Sequence, residues 1–132
     1  MTDSLRDYGE GREPIPAVNE PTVIFMINKS LRKDSWTDED VYHATRCAWV
    51  IRENARDRAV YALDASHGVV RGAYRIDRWL PAGEKRWCFD GRPAPEIDVV
   101  GKSTARIKSR RGNSSPVRFF RDGIAAPAPR DQ

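Results

Sequence analysis

The sequence predicts an α+β fold: a small, mixed and mostly antiparallel sheet of about five strands, partly closed into a barrel, with one long helix packed against it. Three observations carry this prediction. A continuous apolar run indicates a buried strand, a capping signal followed by an apolar stripe indicates the helix, and short alternating segments joined by brief turns indicate the other strands. The 132 residues suit a single compact domain.

The first predicted strand is the apolar run TVIFMIN, residues 22–28. It is rich in β-branched residues and is bounded by Pro21 and by the polar sequence NKS. Such a run is typical of a strand that is buried on both faces. We therefore expect it near the centre of the sheet.

The long helix is predicted over residues 38–54. Thr37 is placed as its N-cap residue, and Asp40 is placed as the acid that completes a capping box. Apolar residues then recur at steps of three and four, which is the spacing of a buried helix face. These residues are Val41, Ala44, Ala48 and Ile51.

The remaining strands follow in the second half of the chain. The segment RAVYALDASHGVVRGAYRIDRWLP predicts two strands joined near SHG, residues 66–68. Gly72, inside the second of these strands, indicates a bulge or a close approach by another group. Two further strands are predicted at residues 84–91 and 116–120, the second after the turn-forming sequence RGNSSP.

The two ends of the chain are predicted to lie outside the domain. Residues 1–20 are interrupted by prolines and glycines and residues 122–132 offer little to bury, so we expect disordered tails on both sides of a domain at residues 21–121. The N-terminus has no apolar signal core, and no apolar run is long enough to span a bilayer, which predicts a cytoplasmic protein without a membrane partner. Cys47 and Cys88 are expected to be unpaired, buried residues.

Positive charge is concentrated near the end of the predicted domain. Residues 102–121 contain seven basic residues and no acidic one. A local positive field is typical of a surface that binds a polyanion, although a solvated basic loop would have the same composition. The candidate phosphate-binding residues are Lys102, Arg106, Lys108, Arg110 and Arg111.

Aromatic residues on the predicted strands form a second candidate site. Trp87 and Phe89 lie two apart and share one strand face, and Trp79 belongs to a strand that we expect to be adjacent. Their structural role would be to fill the core. Their functional role would be a pocket in which a base stacks on aromatic rings.

Catalytic and metal-binding patterns are sparse. The sequence VVGKST lacks the first glycine of a P-loop, because Glu96 stands at that position, which argues against a nucleoside triphosphatase. Asp64, Ser66 and His67 lie close together in the sequence and are the candidates for hydrolytic chemistry. The spacing of the histidines and cysteines gives no metal site, and no cofactor is expected.

The order of strand, helix, hairpin, strand, basic loop and final strand, with aromatic residues in RWLP and RWCF, resembles the small barrels of the PUA-like group. This group includes the ASCH and EVE domains. The resemblance implies binding of RNA or of modified nucleobases. The G-x-K-x-x-E-x-R signature of ASCH domains is absent after Gly101, so no functional residue of that family is assigned here.

The leading functional prediction is a non-enzymatic domain that binds nucleic acid, either RNA or modified or single-stranded DNA. Its basic segment would contact phosphates and its aromatic pocket would hold a base. Two alternatives remain open. One is a small ribonuclease or nucleotide-processing enzyme that uses Asp64 and His67, and the other is a phage or defence-system factor whose basic segment binds an acidic protein partner.

Overall fold

The computed structural model describes residues 12–27, 37–107 and 116–127. Two α-helices and five strands lie within these ranges. In chain order they are β1 (Thr22–Met26), α1 (Asp38–Arg46), α2 (Glu53–Arg58), β2 (Tyr61–Ser66), β3 (Val69–Pro81), β4 (Trp87–Pro93) and β5 (Val117–Phe120). Short 3-10 turns occur at Pro95–Ile97 and Ala105–Ile107.

The strands form one mixed sheet in the order β4-β3-β2-β1-β5. Only β1 and β2 run parallel, and the other neighbours are antiparallel. The prediction of an α+β fold with about five strands is confirmed, but the partly closed barrel is wrong. The sheet is open, because closure needs its first and last strands to pair, and at the outer edge of β4 the backbone of Trp87 pairs with Trp49 instead.

The single long helix over residues 38–54 is also not observed. The helix begins as predicted, with Thr37 as N-cap and Asp40 completing the capping box, but it ends at Arg46. Cys47 forms a disulfide with Cys88 on β4, and Trp49 exchanges backbone hydrogen bonds with Trp87. These links hold the chain after Arg46 against β4 until α2 begins, and they correct the expectation of unpaired cysteines.

The β2–β3 hairpin forms where it was predicted. His67 and Gly68 make its turn, and both have positive φ, 54° and 81°, as a tight turn of the primed type requires. The expectation of a bulge near Gly72 is also confirmed. Asp64 pairs with Gly72 while the next residue, Ala65, pairs with Val70, so Arg71 is the extra residue on β3.

The sheet buries a different kind of core on each side. On the helix face, α1, α2 and the segment between them cover a cluster centred on aromatic residues such as Phe25, Tyr74 and Phe89. On the loop face, irregular segments near residues 12–20, 94–107 and 124 cover a mostly aliphatic cluster that includes Leu63 and Val70.

The packed unit extends beyond the predicted boundaries at residues 21 and 121. Ile15, Val18 and Ile124 are buried in the loop-face core. Val18 and Ile124 also exchange backbone hydrogen bonds, so these parts of the predicted tails belong to the domain. Residues 1–11 and 128–132 lie outside the described ranges. Within those ranges, no helix is long and apolar enough to cross a membrane.

Candidate functional site

A cavity of about 400 Å³ lies between α1 and the neighbouring strands β3 and β4. We call it the tyrosine cavity. Apolar side chains and two tyrosine rings make up much of its wall, and arginines contribute charge. The residues that the argument below uses are Tyr42, Arg71, Gly72, Tyr74, Gly91 and Arg92.

Two glycines shape the strand wall of this cavity. A Cβ atom on Gly72 would lie 2.6 Å from the Tyr74 hydroxyl oxygen and 2.8 Å from Oδ2 of Asp64. A Cβ atom on Gly91 would lie 2.5 Å from the carbonyl oxygen of Arg75. Real Cβ contacts are longer than this. Gly91 therefore requires glycine, because its close neighbour is backbone, whereas a Cβ at Gly72 would force the Tyr74 and Asp64 side chains to move. The Gly91 N–H also donates to the Tyr42 hydroxyl at 3.0 Å, which fixes that ring over the strands.

Asp64 lies just beyond the wall that Gly72 and Tyr74 form. It is fully buried, it is placed there by β2, and its Oδ1 atom has no hydrogen-bonding partner. Its Oδ2 atom makes a short hydrogen bond with the Thr45 hydroxyl of α1. A buried acceptor without a partner is uncommon in folded proteins and calls for an explanation.

The contacts of Thr45 indicate which form of Asp64 is present. The Thr45 hydroxyl lies 2.7 Å from the Val41 carbonyl oxygen and also contacts Asp64. A hydroxyl has one proton and can donate to only one of these acceptors. Both contacts are satisfied when Thr45 donates to Val41 and Asp64 is a neutral carboxylic acid that donates to Thr45.

The electrostatics agree with this assignment. Burial raises the pKa of Asp64 from 3.8 to about 7, because an ionised carboxylate loses its hydration inside the protein. The hydrogen bond with Thr45, the backbone N–H groups of Arg71 and Gly72 and the positive charge of Arg71 act in the opposite direction but do not cancel the cost of burial. The carboxyl therefore changes charge near neutral pH.

Arg71 and Arg92 supply positive charge to the cavity. Arg71 is the bulged residue of β3, and its Nε atom is buried without a hydrogen-bonding partner. Arg92 is exposed and lies 3.7 Å from Asp77, in an exposed ion pair that contributes little. Glu39 is the acidic group in the wall, and it is mostly exposed and paired with His43 on α1.

The predicted phosphate-binding residues have other partners where they are described. Lys102 pairs with Glu13 at 2.6 Å, which raises the pKa of Lys102 and lowers that of Glu13. The Arg106 guanidinium donates to the carbonyl oxygens of Ile15, at 2.5 Å, and Ala125, at 2.6 Å. Both side chains thus hold the terminal segments on the loop face. The other three residues lie outside the described ranges: Lys108, Arg110 and Arg111.

The predicted aromatic pocket does not form as an open site. Phe89 is fully buried and packs against Phe25, Tyr42 and Trp79. Trp87 is half-buried, and the Arg56 guanidinium covers its ring at 3.9 Å from the centroid. The structure does bring Trp79 and Phe89 together, because they are register partners on β3 and β4. Phe89 also packs against Tyr42 and Tyr74.

Two catalytic candidates of the hairpin can be placed. Asp64 is hydrogen-bonded to Thr45 on α1, while His67 occupies the hairpin turn. Among the described residues, no group of three or more histidines, cysteines and acids is arranged to hold a metal ion.

The sequence reasoning missed Tyr42, Tyr74 and Thr45 as site residues. Packing of α1 on the sheet brings Tyr42 against Tyr74 and Thr45 against Asp64, and no local pattern encodes these long-range contacts. Gly72 was the available signal, since it was predicted to mark a close approach. In the structure the approaching groups are Tyr74 and Asp64.

Comparison with known proteins adds no family to these observations. No protein-family model, no curated protein and no solved structure matches this chain.

Proposed function

We propose that this chain is a nucleic-acid-binding domain that takes an unpaired base into the tyrosine cavity. The observation that carries the proposal is the cavity itself: two tyrosine rings beside two arginines in a space of about 400 Å³. Many proteins bind single-stranded nucleic acid with aromatic rings that stack on the bases and with basic side chains that contact the phosphates.

The cavity replaces the pocket proposed from the sequence alone. A base cannot stack on Phe89 while that ring is fully buried. Tyr42 lies in front of it, with ring centroids 6.2 Å apart, and Tyr42 and Tyr74 are 5.1 Å apart. Both tyrosines line the cavity, but Tyr74 is only 5% exposed, so the half-buried Tyr42 is the ring on which a base would stack. Phe89 packs against both tyrosines, and Trp79 packs against Phe89.

Phosphate contacts are assigned to two groups of cations. Arg71 and Arg92 adjoin the cavity and would contact the phosphates on either side of the bound base. Lys108, Arg110 and Arg111, which lie outside the described ranges, stay candidate phosphate contacts on the basis of the sequence alone. Lys102 and Arg106 contribute less than the sequence indicated, because their charges already hold Glu13 and two backbone carbonyls.

The test is a fluorescence-polarisation titration with matched single- and double-stranded DNA and RNA oligonucleotides over a range of salt concentrations. The Arg71→Ala, Arg92→Ala double variant should bind single strands more weakly. The slope of its log binding constant against log salt concentration should become less steep by about 0.7 for each lost phosphate contact. Arg110→Ala with Arg111→Ala should act in the same way. Arg58→Ala is the matched control, since Arg58 lies on α2, outside the cavity.

Two results would contradict the proposal. Unchanged binding in the Arg71, Arg92 double variant would remove the cavity from the interface. Failure to bind any oligonucleotide at about 50 mM salt, where non-specific contacts already register, would favour an acidic protein partner for the basic residues instead.

A second function, a nucleotide-processing enzyme, is favoured by Asp64. A carboxyl with a pKa of about 7 beside a cavity is matched to acid or base catalysis near neutral pH. Incubation of labelled RNA and DNA oligonucleotides with the protein, followed by mass spectrometry, distinguishes the two. A product that disappears in Asp64→Asn supports the enzyme, and intact oligonucleotides support the binding domain.

The PUA-like relationship and the cytoplasmic location remain proposals. The first has the element order in its favour, and the second has the composition of the N-terminal segment. The Cys47–Cys88 disulfide favours an oxidising compartment, because cytosolic thiols are kept reduced. Mass spectrometry of thiols alkylated directly in cell lysate would show whether the two cysteines are paired, as in an oxidising compartment, or reduced, as in the cytoplasm.

A further inference from the structure

Two arginines stand opposite each other on neighbouring strands. Arg75 on β3 and Arg92 on β4 are register partners, and both are exposed. Directly opposed residues of an antiparallel pair point to the same face with their Cβ atoms about 5 Å apart, so like charges there destabilise the sheet. An arrangement that lowers stability is typical of a position that serves a ligand.

The neighbouring pair on the same face shows how charge is balanced elsewhere on these strands. Asp90 lies two residues before Arg92 on β4, and its register partner on β3 is Arg78. Arg78 donates to Asp90 at 3.0 Å, and Arg46 of α1 pairs with the same carboxylate. Opposite charges therefore face each other at that pair, whereas Arg75 and Arg92 oppose two positive charges.

The contacts of the two opposed arginines are weak. Within the part of the chain that the structure describes, Arg75 makes no ion pair, and its guanidinium lies 3.5 Å from the Tyr61 hydroxyl, which is long for a hydrogen bond. The guanidinium of Arg92 lies 3.7 Å from Asp77, and both of these side chains are exposed. A guanidinium has five N–H donors, so each arginine keeps donors for a ligand.

We infer that Arg75 and Arg92 together bind one phosphate group of the nucleic acid, and we call this pair the arginine clamp. The inference rests on the proposed function, because Arg92 also lines the tyrosine cavity. A phosphate accepts hydrogen bonds from two guanidinium groups at once, and its negative charge offsets the repulsion between them.

The clamp also gives the bound strand a direction. Arg75 lies on the loop face, since its register partner on β2, Tyr61, belongs to the loop-face core. Arg92 lies on β4, which is the edge strand of the sheet and lines the tyrosine cavity on the helix face. The backbone of the nucleic acid would therefore pass from the cavity over β4 to the loop face.

A double-mutant cycle tests whether the two arginines share a phosphate. Arg75→Gln, Arg92→Gln and the double variant are compared with the wild-type protein in fluorescence-polarisation titrations of single-stranded oligonucleotides. Each single substitution should weaken binding about tenfold, the value of one charged hydrogen bond. The double variant should lose much less than the product of the two losses, because either substitution already opens the clamp. Arg58→Gln on α2 is the control for loss of one charge.

A second measurement replaces the nucleic acid with inorganic phosphate. Thermal unfolding of the wild-type protein and of the double variant is compared in sodium phosphate and in sodium chloride of equal ionic strength. A ligand that binds the folded state raises the unfolding midpoint, so phosphate should raise that of the wild-type protein by about 2 °C more than that of the double variant. The same curves show that each variant is folded.

The outcomes separate this inference from the proposed function. Oligonucleotide binding in which the two single losses multiply, or in which Arg75→Gln has no effect, overturns the clamp and leaves the proposed function standing. An equal phosphate shift in the wild-type protein and the double variant also overturns the clamp. A phosphate shift that needs both arginines, with no binding of any oligonucleotide, supports the clamp as a phosphate site and overturns the proposed function.

Discussion

The two faces of the sheet are held by different means. On the helix face, stacked aromatic rings and the Cys47–Cys88 disulfide fix α1 and the segment that follows it. On the loop face, irregular segments lie over aliphatic residues and are held by hydrogen bonds from cationic side chains, above all Arg106. The comparison teaches that basic residues in this chain can have a structural role without binding a ligand. The tyrosine cavity lies on the face that the disulfide holds together.

The largest expected effect comes from removing the disulfide with Cys47→Ala and Cys88→Ala. The two cysteines are separated by 41 residues, and a loop of that size restricts the unfolded chain by about 4 kcal/mol. The free energy of unfolding, measured by urea denaturation under oxidising conditions, should fall by about that amount. Amide exchange should accelerate in α1 more than in the loop-face segments.

Wild-type protein in reducing buffer is the control for this variant. Reductant should lower its stability to the value of the double variant and should leave the double variant unchanged. Equal midpoints for the oxidised wild-type protein and the double variant would show that packing alone fixes the helix face.

The next effect is the pH dependence that Asp64 confers on stability. The pKa of this carboxyl is about 7 in the folded protein and near 3.8 when unfolded, so the folded state binds the proton more tightly. Stability therefore falls as the pH rises through that window and levels off above it. Between about pH 5 and 8 the loss should be roughly 3 kcal/mol.

Asp64→Asn should remove this slope, because an amide does not titrate. The comparison is made by urea unfolding of both proteins at several pH values. The groups close to Asp64 are Thr45 on α1 and Arg71, Gly72 and Tyr74 on β3, and β1 presents the non-titrating Phe25 in register. A parallel pH profile in the two proteins would show that Asp64 does not carry the dependence.

The smallest expected effect concerns the loop face. Arg106→Gln removes charged hydrogen bonds to the carbonyls of Ile15 and Ala125, and should cost about 2 kcal/mol. Lys102→Ala removes an exposed pair with Glu13 and should cost less than about 1 kcal/mol. Thermal and urea unfolding of the two variants test this ranking. Neither substitution should change nucleic-acid affinity as much as the Arg71, Arg92 pair.

Local features of the fold could be predicted from the sequence. The capping box at Thr37 and the turn at His67 and Gly68 depend on neighbouring residues, and both are present. The strands of the hairpin and β4 also follow from short periodic patterns. Such features are encoded within a few residues, so one sequence suffices to find them.

Features that depend on distant residues could not be predicted. The helix ends at Arg46 because Cys47 and Trp49 pair with residues about 40 positions later. Up to residue 51 the apolar spacing remains helical, so the pattern gives no sign of this ending. The cavity is missed for the same reason. Its wall combines Tyr42 on α1 with Tyr74 and Gly91 on two strands.

The contacts of the first described segment also set an order of events during synthesis. The backbone N–H of Ile15 donates to the carbonyl of Ser103, and Val18 exchanges hydrogen bonds with Ile124. When residues 15 and 18 leave the ribosome, their partners have not yet been translated. The aliphatic side of the sheet therefore closes late, and its exposed valines and isoleucines are the surface that a chaperone would cover in the nascent chain.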